Sequence, residues 1–284
     1  MAISQIKKFL EELGGQATII DLLVCAVGLF LLFIWLIRTS LGKKALDNAP
    51  VRLNFMPPIW ALIPFFLWVT TVYLLFFIKQ RFFTQLSYLQ NAVTENLILC
   101  IAVIPAIVTA LMIAKISFVG GLKGLGLNLK TIGRDIASAF LNLFTVMPVV
   151  LAAIILTTIA GKLIIGDKFK IPQHEELKEI IEFSQWQVRA LIIFTAIVLV
   201  PFVEELIFRG MIQTMLRNYL KPWPAIFISS FIFVIFHANP EHWLALFALA
   251  ACLGYSYEKS GSLLRPIFVH AMFNAMSVLA ALNQ

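Results

Sequence analysis

Three short stretches of this chain carry side chains that could do chemistry together. The first runs from Pro201 to Gly210 and reads PFVEELIFRG. At about 100° per residue, Glu205 and Arg209 share one helix face at i, i+4, with the glutamate N-terminal, the favourable order for an ion pair. Glu204 points about 100° away, outside that pairing. Two adjacent carboxylates at low dielectric resist carrying two charges, which suits one of them to take a proton from water. An interfacial charge cluster at a helix end is the competing reading, and the pair alone does not separate the two. The second stretch is Phe233 to His237, FVIFH; taken alone, a histidine ending an apolar helix is a capping or interfacial residue. The third is His270 to Asn274, HAMFN, whose end residues project from one helix face. They suit either a polar clamp between helices or a donor pair at an oxyanion.

The elements that hold these residues are apolar. Of 284 residues 61% are hydrophobic and 13% charged, with mean hydropathy +0.92, whereas soluble domains carry roughly 25% charge. Eight membrane spans are expected: Ala17–Ile37, Ile59–Ile78, Leu97–Phe118, Ile136–Ala160, Ala190–Phe208, Pro224–His237, Trp243–Tyr257 and Leu264–Leu282. The sixth and seventh are short and are read as two helices around the turn Asn239-Pro240-Glu241, rather than as a re-entrant pair. The fold class is therefore all-α, a polytopic bundle. The first run is too long for a cleaved signal and reads as a retained span.

The net charge of +7 fits loops meeting anionic headgroups, with membrane lipids as partners. The basic residues form no face interleaved with aromatics, so nucleic acid is not expected as a partner. Loop charges favour the odd-numbered loops as cytoplasmic, with both termini outside. Cys25, Cys100 and Cys252 lie in apolar stretches without CxxC spacing and read as packing residues. Between spans four and five, the segment after Pro172 is expected to form a short amphipathic helix lying on the membrane surface. The glycine-rich run from Gly120 to Gly126 follows no strand and is read as a flexible loop. Asp21, Glu95, His174 and His242 sit at span ends or in loops and need no catalytic explanation.

A charge at membrane depth costs roughly 2.5–3.5 kcal/mol on insertion scales. The Glu pair, His237, His270 and Asn274 sit on three of the last four spans. If these helices pack together, Glu204, His237, His270 and Asn274 converge in one cavity and satisfy one another, which would also assemble a hydrolytic site.

In this order, Glu204-Glu205-x-x-x-Arg209, Phe233-x-x-x-His237 and His270-x-x-x-Asn274 resemble the three motifs of the CAAX protease and bacteriocin-processing (CPBP, or Abi) family, whose eukaryotic members are the type II CAAX prenyl endopeptidases. Phe208-Arg209-Gly210, Gly261-Ser262-Leu263 and the Gly124 to Leu127 stretch resemble the family too. The similarity covers 124–284, a protease core; residues 1–123 match only in being transmembrane. The resemblance implies an eight-helix intramembrane endopeptidase in a cell membrane, acting on a peptide or membrane-anchored protein. By it, Glu204 activates water with His237, His270 and Asn274 stabilise the oxyanion, and Glu205, Arg209 and Phe233 support the site.

Glu204, His237 and His270 could also supply three ligands to zinc, as the family's metalloprotease label implies. A ligating Glu204 would be less free as a base, Asn274 is a poor zinc ligand, and HExxH is absent. Metal-independent glutamate chemistry, with no cofactor, is the favoured expectation. A non-catalytic membrane scaffold or bacteriocin self-immunity factor is the reading from another class.

Overall fold

The computed structural model describes residues 19–282 apart from 167, 173, 174 and 238. Lys7, Lys8, Glu11, Glu12, the start of the first span, His174 and the Asp21 side chain lie outside the described residues. The major helices are α1 (Ile19–Arg38), α2 (Pro58–Phe82), α3 (Tyr88–Ser117), α4 (Ile132–Ile165), the short α5 (Glu175–Glu182), α6 (Trp186–Arg217), α7 (Pro222–Ile235), α8 (Trp243–Ser260) and α9 (Leu264–Leu282). Among the described residues there is no β-strand, only one antiparallel bridge between Asn54 and Phe118. Each of the eight expected spans falls on a helix. Five helices (α2, α3, α4 with its 3₁₀ lead-in, α6 and α9) are long and apolar enough to cross a membrane. The protein is an all-α, polytopic membrane protein.

Local chemistry sets the helix ends. Pro58 and Pro222 open α2 and α7, where a missing N–H is harmless. Ser87 and Gln90 cap α3 reciprocally, each side chain accepting from the other's backbone N–H. Gly261, at φ +69°, ends α8 in the left-handed region. At Gly28 a Cβ would stand 2.0 Å from the Phe144 carbonyl oxygen, so a glycine is what lets α1 and α4 approach this closely.

Two sequence expectations for the segments between spans need correction. The glycine-rich run is not a flexible loop. Residues Leu122–Leu125 make a helical turn, Leu125 is buried, and the Gly126 carbonyl accepts from the Leu263 N–H at 3.0 Å. Its glycines serve this close approach rather than mobility: Gly126 has φ +101°, and a Cβ there would strike the 261–263 backbone. Helix α5 forms as expected but does not lay its apolar stripe on lipid. Ile180 and the following Phe183 are buried against Ala92, Ile192 and Val278, because neighbouring helix ends offer apolar surface within reach.

Helix α6 is the axis of the bundle. Residues 203–214 are all buried, whatever their polarity. One face packs with Phe65, Val103, Ala106, Phe233 and Ala250; another packs with Ala61, Ala110, Ile113, Tyr257 and Leu263. Helices α1, α2 and α4 turn Leu29, Phe30, Phe33, Phe66, Phe77 and Leu163 outward, as lipid-facing helices must. Because hydropathy falls after Phe208, the fifth span was expected to end there. The helix runs on to Arg217 because Arg209 and Gln213 are buried in protein rather than exposed to lipid.

One buried charge fastens α4 to α9. Asp135, fully buried, accepts from Thr131 Oγ1 and Ser262 Oγ, both at 2.7 Å, and from the Arg265 guanidinium at 3.1 and 3.3 Å. Removing one partner of such a pair leaves the other charge uncompensated, at about 3–5 kcal/mol. Asp135→Ala is therefore expected to lower the unfolding free energy of detergent-solubilised protein by about that amount. Denaturant titration measures it; a loss below about 1 kcal/mol contradicts this account of the pair.

Candidate active site

The site begins with an irregularity in α6. Two π-helical stretches, Thr195–Leu199 and Leu206–Gln213, flank the α-helical segment Val200–Glu205 that carries the two glutamates. Pro201 explains the first. It has no N–H to give, and its ring crowds the preceding turn. The Val200 N–H bonds the Thr195 carbonyl, passing over Ala196. In π register the next donor to the Ala196 oxygen would be residue 201, a proline, so this carbonyl has no helical partner. Asn274 Nδ2 donates to it at 2.8 Å. In the second stretch the Thr214 hydroxyl donates to the Arg209 carbonyl at 3.1 Å, satisfying an oxygen that the wide turn exposes.

Glu205 is fully buried, and its Oε1 accepts two hydrogen bonds at 2.9 Å. One comes from Arg209 Nη1, as the i, i+4 spacing suggests. The other comes from His270 Nδ1 on α9, a contact the spacing does not reveal. Arg209 Nη2 also donates to the Ala250 carbonyl on α8 at 3.0 Å, and the guanidinium lies over the Phe233 ring, 4.9 Å from its centroid. Phe233 is buried between Phe208, His237 and His270.

Glu204 is buried and takes no part in the Arg209 ion pair. Its Oε1 stands 3.8 Å from His237 Nε2 and its Oε2 stands 3.7 Å from His270 Nε2. Both separations are too long for direct hydrogen bonds and are suited to a bridging water. The tautomers follow from the far sides of the rings. His237 Nδ1 faces the Phe233 carbonyl at 2.8 Å, which can only accept, so Nδ1 carries hydrogen. His270 Nδ1 donates to Glu205 for the same reason. In their neutral forms both rings therefore present an Nε2 lone pair toward Glu204. The His237 side chain is 28% exposed against 6% for His270, so the site opens along His237 at the end of α7. Trp243 Nε1 donates to the His237 carbonyl at 2.9 Å and ties that end to α8.

The structure thus brings together Glu204, Glu205, Arg209, Phe233, His237 and His270. Asn274 follows one turn after His270 on the same face of α9, with one N–H given to the Ala196 carbonyl. Sequence reasoning missed the Ala196 carbonyl, the Trp243 tie and the Glu205–His270 bond. A proline inside the fifth span was the available signal for the first. The Trp243 tie crosses a turn only six residues long and the Glu205–His270 bond spans 65 residues; no helical spacing rule exposes either.

A comparison with known protein families falls on this same region. Residues 185–276 match the model of the family described as type II CAAX prenyl endopeptidase Rce1-like. A protein of Bacillus subtilis (strain 168) bearing the name "Putative membrane peptidase YdiL" is 33% identical over 93 residues. That match covers 33% of this chain and 38% of the relative, so the chain is aligned to well under half of its length. No solved structure matches the chain. The stretch that resembles the type II CAAX prenyl endopeptidases of the Rce1-like family holds every residue of the site described above.

Proposed function

We propose that the protein is an intramembrane endopeptidase in which the Glu204 carboxylate activates water for attack on a peptide bond. The observation that carries this reading is the setting of Glu204. It is a buried carboxylate outside the neighbouring ion pair, faced on both oxygens by imidazole nitrogens whose other sides are fixed. The Rce1-like match and the peptidase name of the relative support a protease.

In this mechanism water sits between Glu204 and His237. Glu204 takes one of its protons as the water oxygen bonds to the scissile carbonyl carbon. The carbonyl oxygen becomes an oxyanion. Asn274 has a second N–H beyond the one given to Ala196, and it donates there with His270. His270 donates from Nε2 only as imidazolium, with Glu205 accepting from Nδ1. Collapse breaks the C–N bond, and the proton held on Glu204 passes to the leaving amine. Glu205 and Arg209 hold His270 and the helix in place without touching substrate. The substrate is a peptide or membrane-anchored protein of the cell membrane that enters along His237.

A second reading has an observation of its own. Two histidines with Nδ1–H anchored and Nε2 turned toward a carboxylate have the outer-shell arrangement of zinc ligands. Glu204, His237 and His270 would then hold zinc, which would supply a Lewis acid and a bound water. The spacing fits less well. Donors about 2.0–2.1 Å from a tetrahedral zinc lie about 3.3 Å apart, against 3.7 and 3.8 Å here. As the side chains stand, no group of three His, Cys, Asp or Glu among the described residues could hold a metal ion.

Glu204→Gln is expected to lower turnover by about 10²–10⁴-fold, the usual worth of a general base, without loss of folded protein. Comparative proteomics of strains carrying wild type or the variant identifies the substrate through neo-termini that disappear. Intact processing with Glu204→Gln, or full rescue of a null phenotype, would move the protein to the scaffold or self-immunity class. Dialysis of purified wild type against a strong chelator is expected to leave peptide cleavage unchanged. Loss of cleavage restored by one equivalent of zinc would select the metal reading.

A further inference from the structure

Away from the glutamate pair, at the face where α1, α6 and α8 end and α2 begins, three charged side chains meet around a cavity of about 110 Å³. Arg52 and Arg217 both bind Glu258: Arg52 Nη2 at 2.6 Å from Oε1, and Arg217 Nε at 3.3 Å from Oε2. Gln213 Nε2 also donates to Glu258 Oε1, at 3.1 Å. The one carboxylate is thus fully engaged, and two guanidiniums against it leave one positive charge in excess at the cavity wall. The Arg52 side chain is 6% exposed and its Nε has no hydrogen-bond partner. Arg52 Nη1 also donates to the Tyr257 carbonyl at 3.2 Å and the guanidinium lies over the Tyr257 ring, yet a buried donor left without a partner, as Nε is, remains costly. Asn54 and Asn218 line the same cavity and bond each other's amides at 2.9 and 3.0 Å. Each amide nitrogen has two hydrogens, so Asn218 keeps a donor to spare.

The segment that supplies Arg52 and Asn54 alternates. It pairs with the end of α3, with the Phe55 N–H donating to the Ser117 carbonyl and the Val119 N–H to the Leu53 carbonyl. Extended backbone sends successive side chains to opposite faces. Arg52 and Asn54 give the cavity polar atoms, while Val51, Leu53 and Phe55 are 75%, 63% and 82% exposed, with Val51 and Leu53 also at the cavity's edge. A cationic cavity behind a row of outward apolar side chains, at helix ends, combines what a phosphate headgroup and its acyl chains require.

We infer that this cavity binds the phosphate of an anionic phospholipid, with Arg52, Arg217 and Asn218 facing the phosphate and Val51, Leu53 and Phe55 against the acyl chains. The reading is independent of the peptidase proposal, because no residue of the Glu204 site takes part.

Purified, delipidated full-length protein would be titrated with dioctanoyl phosphatidylglycerol, dioctanoyl phosphatidylcholine and inorganic phosphate, with binding read by native mass spectrometry. The phosphatidylglycerol lipid is expected to bind more tightly than the phosphatidylcholine one. Arg217→Gln is expected to weaken it about tenfold or more, since it removes a charge-assisted contact. Asn218→Asp, at an exposed position, is expected to do the same by adding negative charge, and Arg217→Lys to lose less. Unchanged thermal midpoints without lipid show that the variants fold. Equal affinity for the two lipids, or equal phosphatidylglycerol binding by wild type and Asn218→Asp, overturns the inference. Binding of inorganic phosphate with no binding of the anionic lipid overturns the lipid source and assigns the cavity to a soluble phosphate.

Discussion

The bond pair on Glu205 Oε1 is the constraint from which the rest of the site follows. A carboxylate with no exposure, placed in a membrane bundle, must have its charge met on the spot. Arg209 meets it from the same helix and His270 from α9. Arg209 in turn needs the Ala250 carbonyl of α8 and the Phe233 ring of α7. Four helices are therefore oriented around one oxygen atom. Glu204, one residue earlier, is left over by this arrangement, and that is why it stands free of the ion pair with two imidazoles in front of it.

Burial of polar groups on this scale requires a helix shielded on every side. The run 203–214 in α6 includes Glu205, Arg209, Gln213 and Thr214, each bonded within the protein rather than to lipid, and Glu204, which faces two imidazoles. The ring of α2, α3, α7, α8 and α9 around it provides both the apolar packing and the carbonyl oxygens that these groups use. Asp135 with Arg265, and Glu258 with its two arginines, repeat the solution at helix ends, where each charge is met from another element.

Much of this was legible in the sequence because membrane depth makes polar residues conspicuous. Hydropathy located the eight helices, and the i, i+4 rule found the Glu205–Arg209 pair. It could not find the end of α6, because a window average treats a buried arginine as an exposed one. From sequence alone the glycine-rich turn at 120–126 looks mobile, because the partner of Gly126, the Leu263 backbone, is more than a hundred residues away. A separation of 65 residues likewise hid the bond between His270 and Glu205. Asn274 was grouped with the histidines from its helix face alone. Its orphan carbonyl partner arises only when Pro201 forces α6 out of regular register.

That change of register has a consequence for how this segment can vary. Each π turn is in effect an α-helix with one residue too many, and the glutamates lie between two of them. Losing a single residue between Ala196 and Val200 would put Pro201 four positions after Ala196, where its missing N–H still leaves that carbonyl without a helical partner. Unless the wide turn closes to take up the loss, the preceding part of α6 rotates about 100° relative to the glutamates, parting Ala196 from Asn274. Between these two irregular turns the chain can exchange side chains far more readily than it can change its length, so over this stretch the residue count is itself part of the architecture.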